Sequence, residues 1–151
     1  MKHRYIIGVD EVGRGPLAGP VTVGAVCVPV DFDVSLLRGI KDSKKLSGQK
    51  RRQWKEKVKH LQEKGLVVCS ISSVGAFTID RIGISKAIQR ATKQSLSRIG
   101  VNPSECLVLL DGGLKAPWEY FYQKTIIKGD EKEPVIALAS IAAKVTRDRY
   151  M

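Results

Sequence analysis

A chain of 151 residues with 43% apolar and 27% charged side chains has the makeup of a globular domain. That length buries about 68–70% of the unfolded surface, and no apolar run nears the ~20 residues of a membrane span. The N-terminus lacks a signal-peptide pattern, so a membrane-free, cytoplasmic protein is expected. Lysine and arginine number 26 against 15 acids, and the resulting +11 is the footprint of a partner for a polyanion, above all nucleic acid. Three cysteines in apolar runs (Cys27, Cys69, Cys106) read as reduced thiols, with no zinc-type spacing and no clustered histidine.

Residues 4–10 and 21–28 are predicted strands rich in β-branched side chains, joined by the glycine- and proline-rich segment 13–20. A longer connection over 29–45 ends in Lys41-Asp42-Ser43-Lys44-Lys45. Ser47 is placed to cap a basic helix through about Glu63, with Trp54, Val58 and Leu61 on one face and Gly65 as its stop. A third strand is predicted from Leu66 to Val74. Thr78 then opens a helix to about Ile99, in which Ile84, Ala87, Ile88 and Ala91 keep helical spacing. Leu107-Val108-Leu109-Leu110 has the all-apolar character of a central strand and stops at Asp111-Gly112-Gly113. A fifth strand is expected over Lys124–Lys128, ending at Gly129-Asp130, and a last helix after Pro134. The sum is one α/β domain over 1–151 with a mixed five-stranded sheet flanked by helices.

Asp10 with Glu11, Asp111 and Asp130 share one arrangement: each follows a predicted strand and has a glycine close by, Gly13 after Glu11, Gly112 after Asp111 and Gly129 before Asp130. Strand ends of an α/β sheet form a common rim where ligand sites gather. Carboxylates crowded there repel one another, and hard divalent cations, Mg²⁺ or Mn²⁺, resolve the repulsion through oxygen ligation. Two such ions about 3.5–4 Å apart serve in-line phosphoryl displacement. Each acid also has a plainer reading: Asp111-Gly112 is a turn signal, and Glu11 could pair with Arg14 or a lysine. Arg14 between glycines suits close approach of backbone to a sugar-phosphate, and Lys44 and Lys45 suit phosphate contacts, although either lysine could be solvated beside Asp42. Trp118, Tyr120, Phe121 and Tyr122 are expected to pack over the sheet edge rather than stack on bases.

Five segments together resemble bacterial ribonuclease HII in sequence and order. They are Asp10-Glu11-Val12-Gly13-Arg14-Gly15-Pro16-Leu17-Ala18-Gly19-Pro20, Asp42-Ser43-Lys44-Lys45-Leu46-Ser47, Leu110-Asp111-Gly112, Lys128-Gly129-Asp130, and Ser140-Ile141-Ala142-Ala143-Lys144-Val145-Thr146-Arg147-Asp148. The resemblance implies an RNase H-like fold and endonucleolytic cleavage of the RNA strand in RNA–DNA hybrids. It also implies cleavage 5′ of ribonucleotides embedded in duplex DNA, by two-metal-ion hydrolysis leaving 3′-hydroxyl and 5′-phosphate ends. The acids matching the family's metal ligands are Asp10, Glu11, Asp111 and Asp130. Gly13, Arg14 and Gly15 match the loop that reads the ribose 2′-hydroxyl, the group that separates RNA from DNA. Ser43, Lys44 and Lys144 fall where backbone phosphates are expected.

The chain departs from the family in two places. The family continues past the Val-Thr-Arg-Asp helix into a segment whose tyrosine stacks at the junction sugar. This chain ends at Met151, with Tyr150 too early to serve, so a fragment or a less specific and less stable enzyme is expected. The family also commonly has asparagine where this sequence has Gly83, a change expected to weaken the helix by up to ~1 kcal/mol. The leading expectation is a monomeric Mg²⁺/Mn²⁺-dependent nuclease whose partner is nucleic acid; a sliding-clamp partner is left open. Two competing readings are another nuclease of the same fold, disfavoured by the Gly-Arg-Gly run, and a catalytically silent hybrid-binding module.

Overall fold

The computed structural model describes residues 3–13, 19–40 and 47–148. Five strands form one sheet in the order β3-β2-β1-β4-β5. They are β1 (Tyr5–Val12), β2 (Val21–Pro29), β3 (Val68–Val74), β4 (Cys106–Asp111) and β5 (Gln123–Ile126). Strand β1 runs antiparallel to β2, and β2 to β3, whereas β1, β4 and β5 are mutually parallel. The mixed sheet expected from the sequence is therefore present, and the carboxyl ends of three parallel strands share one rim.

Alternation along the strands sorts side chains onto two helical layers. Ile7, Val9, Val23, Val108 and Leu110 face α3 (Ile84–Ile99), meeting Ala87, Ile88, Ala91 and Leu96. Ile6, Val26 and Val28 face the other layer, α1 (Gly48–Glu63) and α5 (Pro134–Asp148), where Val58, Leu61, Leu138 and Ile141 are buried. Helix α5 lies unusually close to the sheet. A Cβ added to Gly8 would fall 2.5 Å from the Val135 carbonyl carbon, and one on Gly24 would overlap the Ala139 carbonyl. These two strand glycines let helix backbone sit directly against strand backbone.

Helix α1 forms as its sequence implies. Ser47 accepts from the Lys50 amide at 3.2 Å, and Gly65 follows the C-cap with φ +74°. The single helix expected from Thr78 to Ile99 is instead two, α2 (Ala76–Ile82) and α3, hinged at Gly83. Gly83 adopts φ 88° and ψ 158°, a region essentially closed to other residues. It is a junction rather than a weakened helical position, so the cost assigned to a helical glycine does not apply. At the sheet edge, Tyr120 packs into the core and Tyr122 is half-buried, but Trp118 is 85% exposed and Phe121 80%. The expectation that all four aromatics cover the edge holds only for the tyrosines. Cys27 and Cys106 are buried free thiols, Cys69 a half-buried one, and burial pushes Cys27 up to about 12. No helix among the described residues is long and apolar enough to cross a membrane.

Candidate active site

Asp10 and Glu11 do not follow β1 but lie within it, because pairing with β2 continues to Val12 opposite Thr22. What ends at Val9 is the parallel pairing with β4, whose last partner there is Leu110. Asp10 and Asp111 come next along the two strands, just past the last paired residues, and the charge of Asp111 reaches Asp10. Their side chains share a face. Ile7, Val9 and Leu110 point to the α3 layer, so Asp10 and Asp111 point to the α5 layer, and Glu11 alternates to the opposite side.

Asp10 is only 3% exposed. Its Oδ1 accepts from the Glu11 amide at 2.8 Å, and its carboxylate accepts from Ser140 on α5. These bonds favour the charged form but do not prevail. Desolvation first, then the charges of Asp111 and Glu11, raise its pKa from 3.8 to about 8. Burial among like charges is the environment that a cation relieves.

The third acidic segment arrives through a backbone device. The strand expected to reach Lys128 stops at Ile126, and Lys128 turns into the left-handed region at φ 53°. That turn starts the short helix α4 (Gly129–Lys132) and aims the Gly129 amide at Asp111 Oδ1, to which it donates. Asp130, 1% exposed, comes next in the chain, one residue after the amide that bonds Asp111. Gly129 leaves room for that contact: a Cβ there would fall 2.7 Å from Ile136 Cδ1 and 3.2 Å from Asp111 Oδ1, displacing the ends of both side chains. The position of Asp130 in a helical turn, rather than at a strand end, is a correction to the sequence reading. Among the described residues, no trio of aspartate, glutamate, histidine or cysteine side chains already stands arranged to hold an ion.

Lys144, half-buried on α5, lines a cleft of about 260 Å³ with Val12, Arg51 and Arg147, next to the end of β1. Gly13 follows Val12 at φ +93°. Arg14, Gly15, Ser43 and Lys44 lie outside the described residues. The sequence reading gave no role to Ser140, Gly8 or Gly24, and no specific contact to Arg147. Glycines within strand-like runs were the signal for the close packing of α5.

A profile of the family described as Ribonuclease HII matches residues 7–151. Ribonuclease HII of Caldicellulosiruptor bescii is 42% identical over 149 residues, covering 99% of this chain and 68% of that protein. Ribonuclease HII of Listeria monocytogenes serovar 1/2a is 43% identical over 150 residues, covering 99% of this chain and 53% of its relative. The chain thus spans from about half to two thirds of the length of these curated relatives. Among solved structures, that of the PCNA:RNase HII complex from Archaeoglobus fulgidus matches with a TM-score of 0.72 at 28% identity, covering 96% of this chain and 72% of that one. The fold is the RNase H-like one.

Proposed function

The chain belongs to the ribonuclease HII family, and from that premise we propose that it is an endonuclease for the RNA strand of RNA–DNA hybrids and for the 5′ side of ribonucleotides embedded in duplex DNA. The observation that carries the reading is the closeness of Asp10 and Asp111 at the carboxyl rim of parallel strands, where the charge of Asp111 helps to raise the Asp10 pKa. Both lie just past the last residues paired between β1 and β4, and the backbone amide preceding Asp130 bonds Asp111.

The donor set fits Mg²⁺ or Mn²⁺. Every candidate ligand is a carboxylate oxygen, the hard donor both ions prefer, and Asp10 is buried beside the charges of Asp111 and Glu11, which a bound cation would offset. Asp10 and Asp111 would form the shared part of the site, with Asp130 and Glu11 completing it. Two bound ions would stabilise the charge that builds on phosphorus and on the leaving oxygen, giving 3′-hydroxyl and 5′-phosphate ends.

The remaining roles belong to the chain itself. Ser140 and the Glu11 amide hold the Asp10 carboxylate in place. Lys144 and Arg51 present positive charge beside the end of β1, where a phosphodiester backbone would lie across the rim. Gly13, without a side chain, lets backbone approach a ribose closely enough to sense its 2′-hydroxyl.

A duplex carrying one ribonucleotide, incubated with the protein in Mg²⁺, Mn²⁺ or EDTA, tests the proposal. A metal-dependent nick on the 5′ side of the ribonucleotide is expected. Cutting of all-DNA duplex, or binding without any nick, would replace this reading with another nuclease or with a silent binding module.

A further inference from the structure

Arg147, near the end of α5, donates from Nε to the carbonyl of Pro20 at 2.8 Å, bridging 127 positions of sequence. Gly13 lies against the same side chain. A Cβ built on Gly13 would fall 2.5 Å from Arg147 Nε, 3.1 Å from its Cδ and 2.5 Å from the Pro20 oxygen. Gly13 and Pro20 flank the connection between β1 and β2, and one arginine bonds the second while lying against the first. The root of that arginine is fixed in turn: Thr146 donates to the Ala142 carbonyl at 2.9 Å and accepts from Lys55 Nζ of α1 at 3.1 Å. A side chain serving only as a phosphate contact would have no need to bond the backbone of a distant loop.

We propose that Arg147 is a positioning residue: by bonding Pro20 across Gly13 it pins both ends of the β1–β2 connection and sets the Gly13 backbone at the acidic rim. The inference rests on the nuclease reading above, in which Gly13 meets the ribose. Lysine cannot replace it, because an ammonium at the chain tip has no N–H midway along the side chain, where Nε donates.

The test uses the whole chain with Arg147→Lys, Arg147→Ala, Gly13→Ala and the Arg147→Lys/Gly13→Ala double variant. On a single-ribonucleotide duplex, Arg147→Lys and Arg147→Ala should each lower kcat by about 10²-fold, the scale of a small misplacement of reacting groups. Arg147→Lys should leave KM and the salt dependence of duplex binding near those of the parent. Gly13→Ala should match that loss, and the double variant should be no worse than the poorer single, since both act on one contact. Parental kcat in Arg147→Lys, or a loss in KM with a salt slope lower by about 1, would make Arg147 an ordinary phosphate contact and overturn the proposal. Hydrogen exchange over residues 11–22 without substrate separates this inference from the nuclease reading. Exchange there should quicken about 10-fold in Arg147→Lys and Arg147→Ala even if the parent cleaves nothing, and unchanged exchange would overturn it.

Discussion

The two faces of the sheet solve different problems with the same strands. Toward α3 the strands present Ile7, Val9, Val23, Val108 and Leu110, and the helix answers with Leu96, Ile88 and small alanines in an ordinary apolar core. Toward α5 they present Gly8, Gly24, Asp10 and Asp111, and the helix answers with Ala139, Ala143 and Ser140 at backbone-to-backbone distance. The first face contributes stability by burying large side chains. The second buries Val26, Val28, Leu138 and Ile141 as well, but at Gly8 and Gly24 it gives up side-chain volume for closeness, which brings Ser140 up to Asp10 and Lys144 and Arg147 to the end of β1. Chemistry is concentrated where side chains are smallest.

The largest expected effect separates the faces by function. Asp111→Asn should lower cleavage of a single-ribonucleotide duplex by about three orders of magnitude or more, as for groups that stabilise transition-state charge, while duplex affinity, measured by anisotropy, stays within a few-fold. Turnover near the parental value would remove Asp111 from the site.

A pair of core substitutions sharpens the contrast. Leu96→Ala should cost about 2–5 kcal/mol in denaturant melts yet leave turnover per folded molecule unchanged. Gly24→Ala should cost about 1–3 kcal/mol through overpacking, but it should also lower turnover, because α5 must retreat and carry Ser140 and Lys144 with it. Equal effects on turnover would erase the distinction between the faces.

The acids predict a pH dependence for the protein in EDTA. Asp10 ionises near 3.8 when unfolded and near 8 when folded. Between those values the unfolded chain binds fewer protons, so stability falls as pH rises through that window and levels off above about 8. A melting temperature lower by about 7–15 °C at pH 8 than at pH 5 is expected, at 2–4 °C per kcal/mol for a chain of this size. Asp10→Asn should flatten the dependence, and added Mg²⁺ or Mn²⁺ should restore stability at pH 8. A slope equally steep in Asp10→Asn would assign it to other groups.

The smallest effect concerns the turn that delivers Asp130. Lys128 is held at φ 53° without being glycine, so Lys128→Gly should stabilise by up to about 1 kcal/mol and leave turnover intact, whereas Lys128→Val should destabilise. Chemical melts of the two variants decide it.

The strands, the α1 cap at Ser47 and the closeness of Asp10 and Asp111 were legible because each rests on local patterning: apolar runs, a hydroxyl before a helix, a carboxylate where an apolar strand runs out. The break at Gly83 was hidden by helical spacing that continues across it, since periodicity records which side chains are apolar and not the φ of one residue. Gly8 and Gly24 were given no role because their purpose lies in α5, more than a hundred residues further along. The exposure of Trp118 and Phe121 likewise depends on the course of a loop that composition does not define. Arg147 was visible as one more cation of a basic protein, but its bond to Pro20 exists only once β1, β2 and α5 are assembled.

Anomalous scattering from crystals grown with Mn²⁺ reads the central relation most directly, because it locates the ion against carboxylates already close together at the rim. An ion within about 2.0–2.2 Å of oxygens from both Asp10 and Asp111 is the expected result. Manganese bound by other residues, with that pair left uncoordinated in protein that cleaves its substrate, would contradict the account.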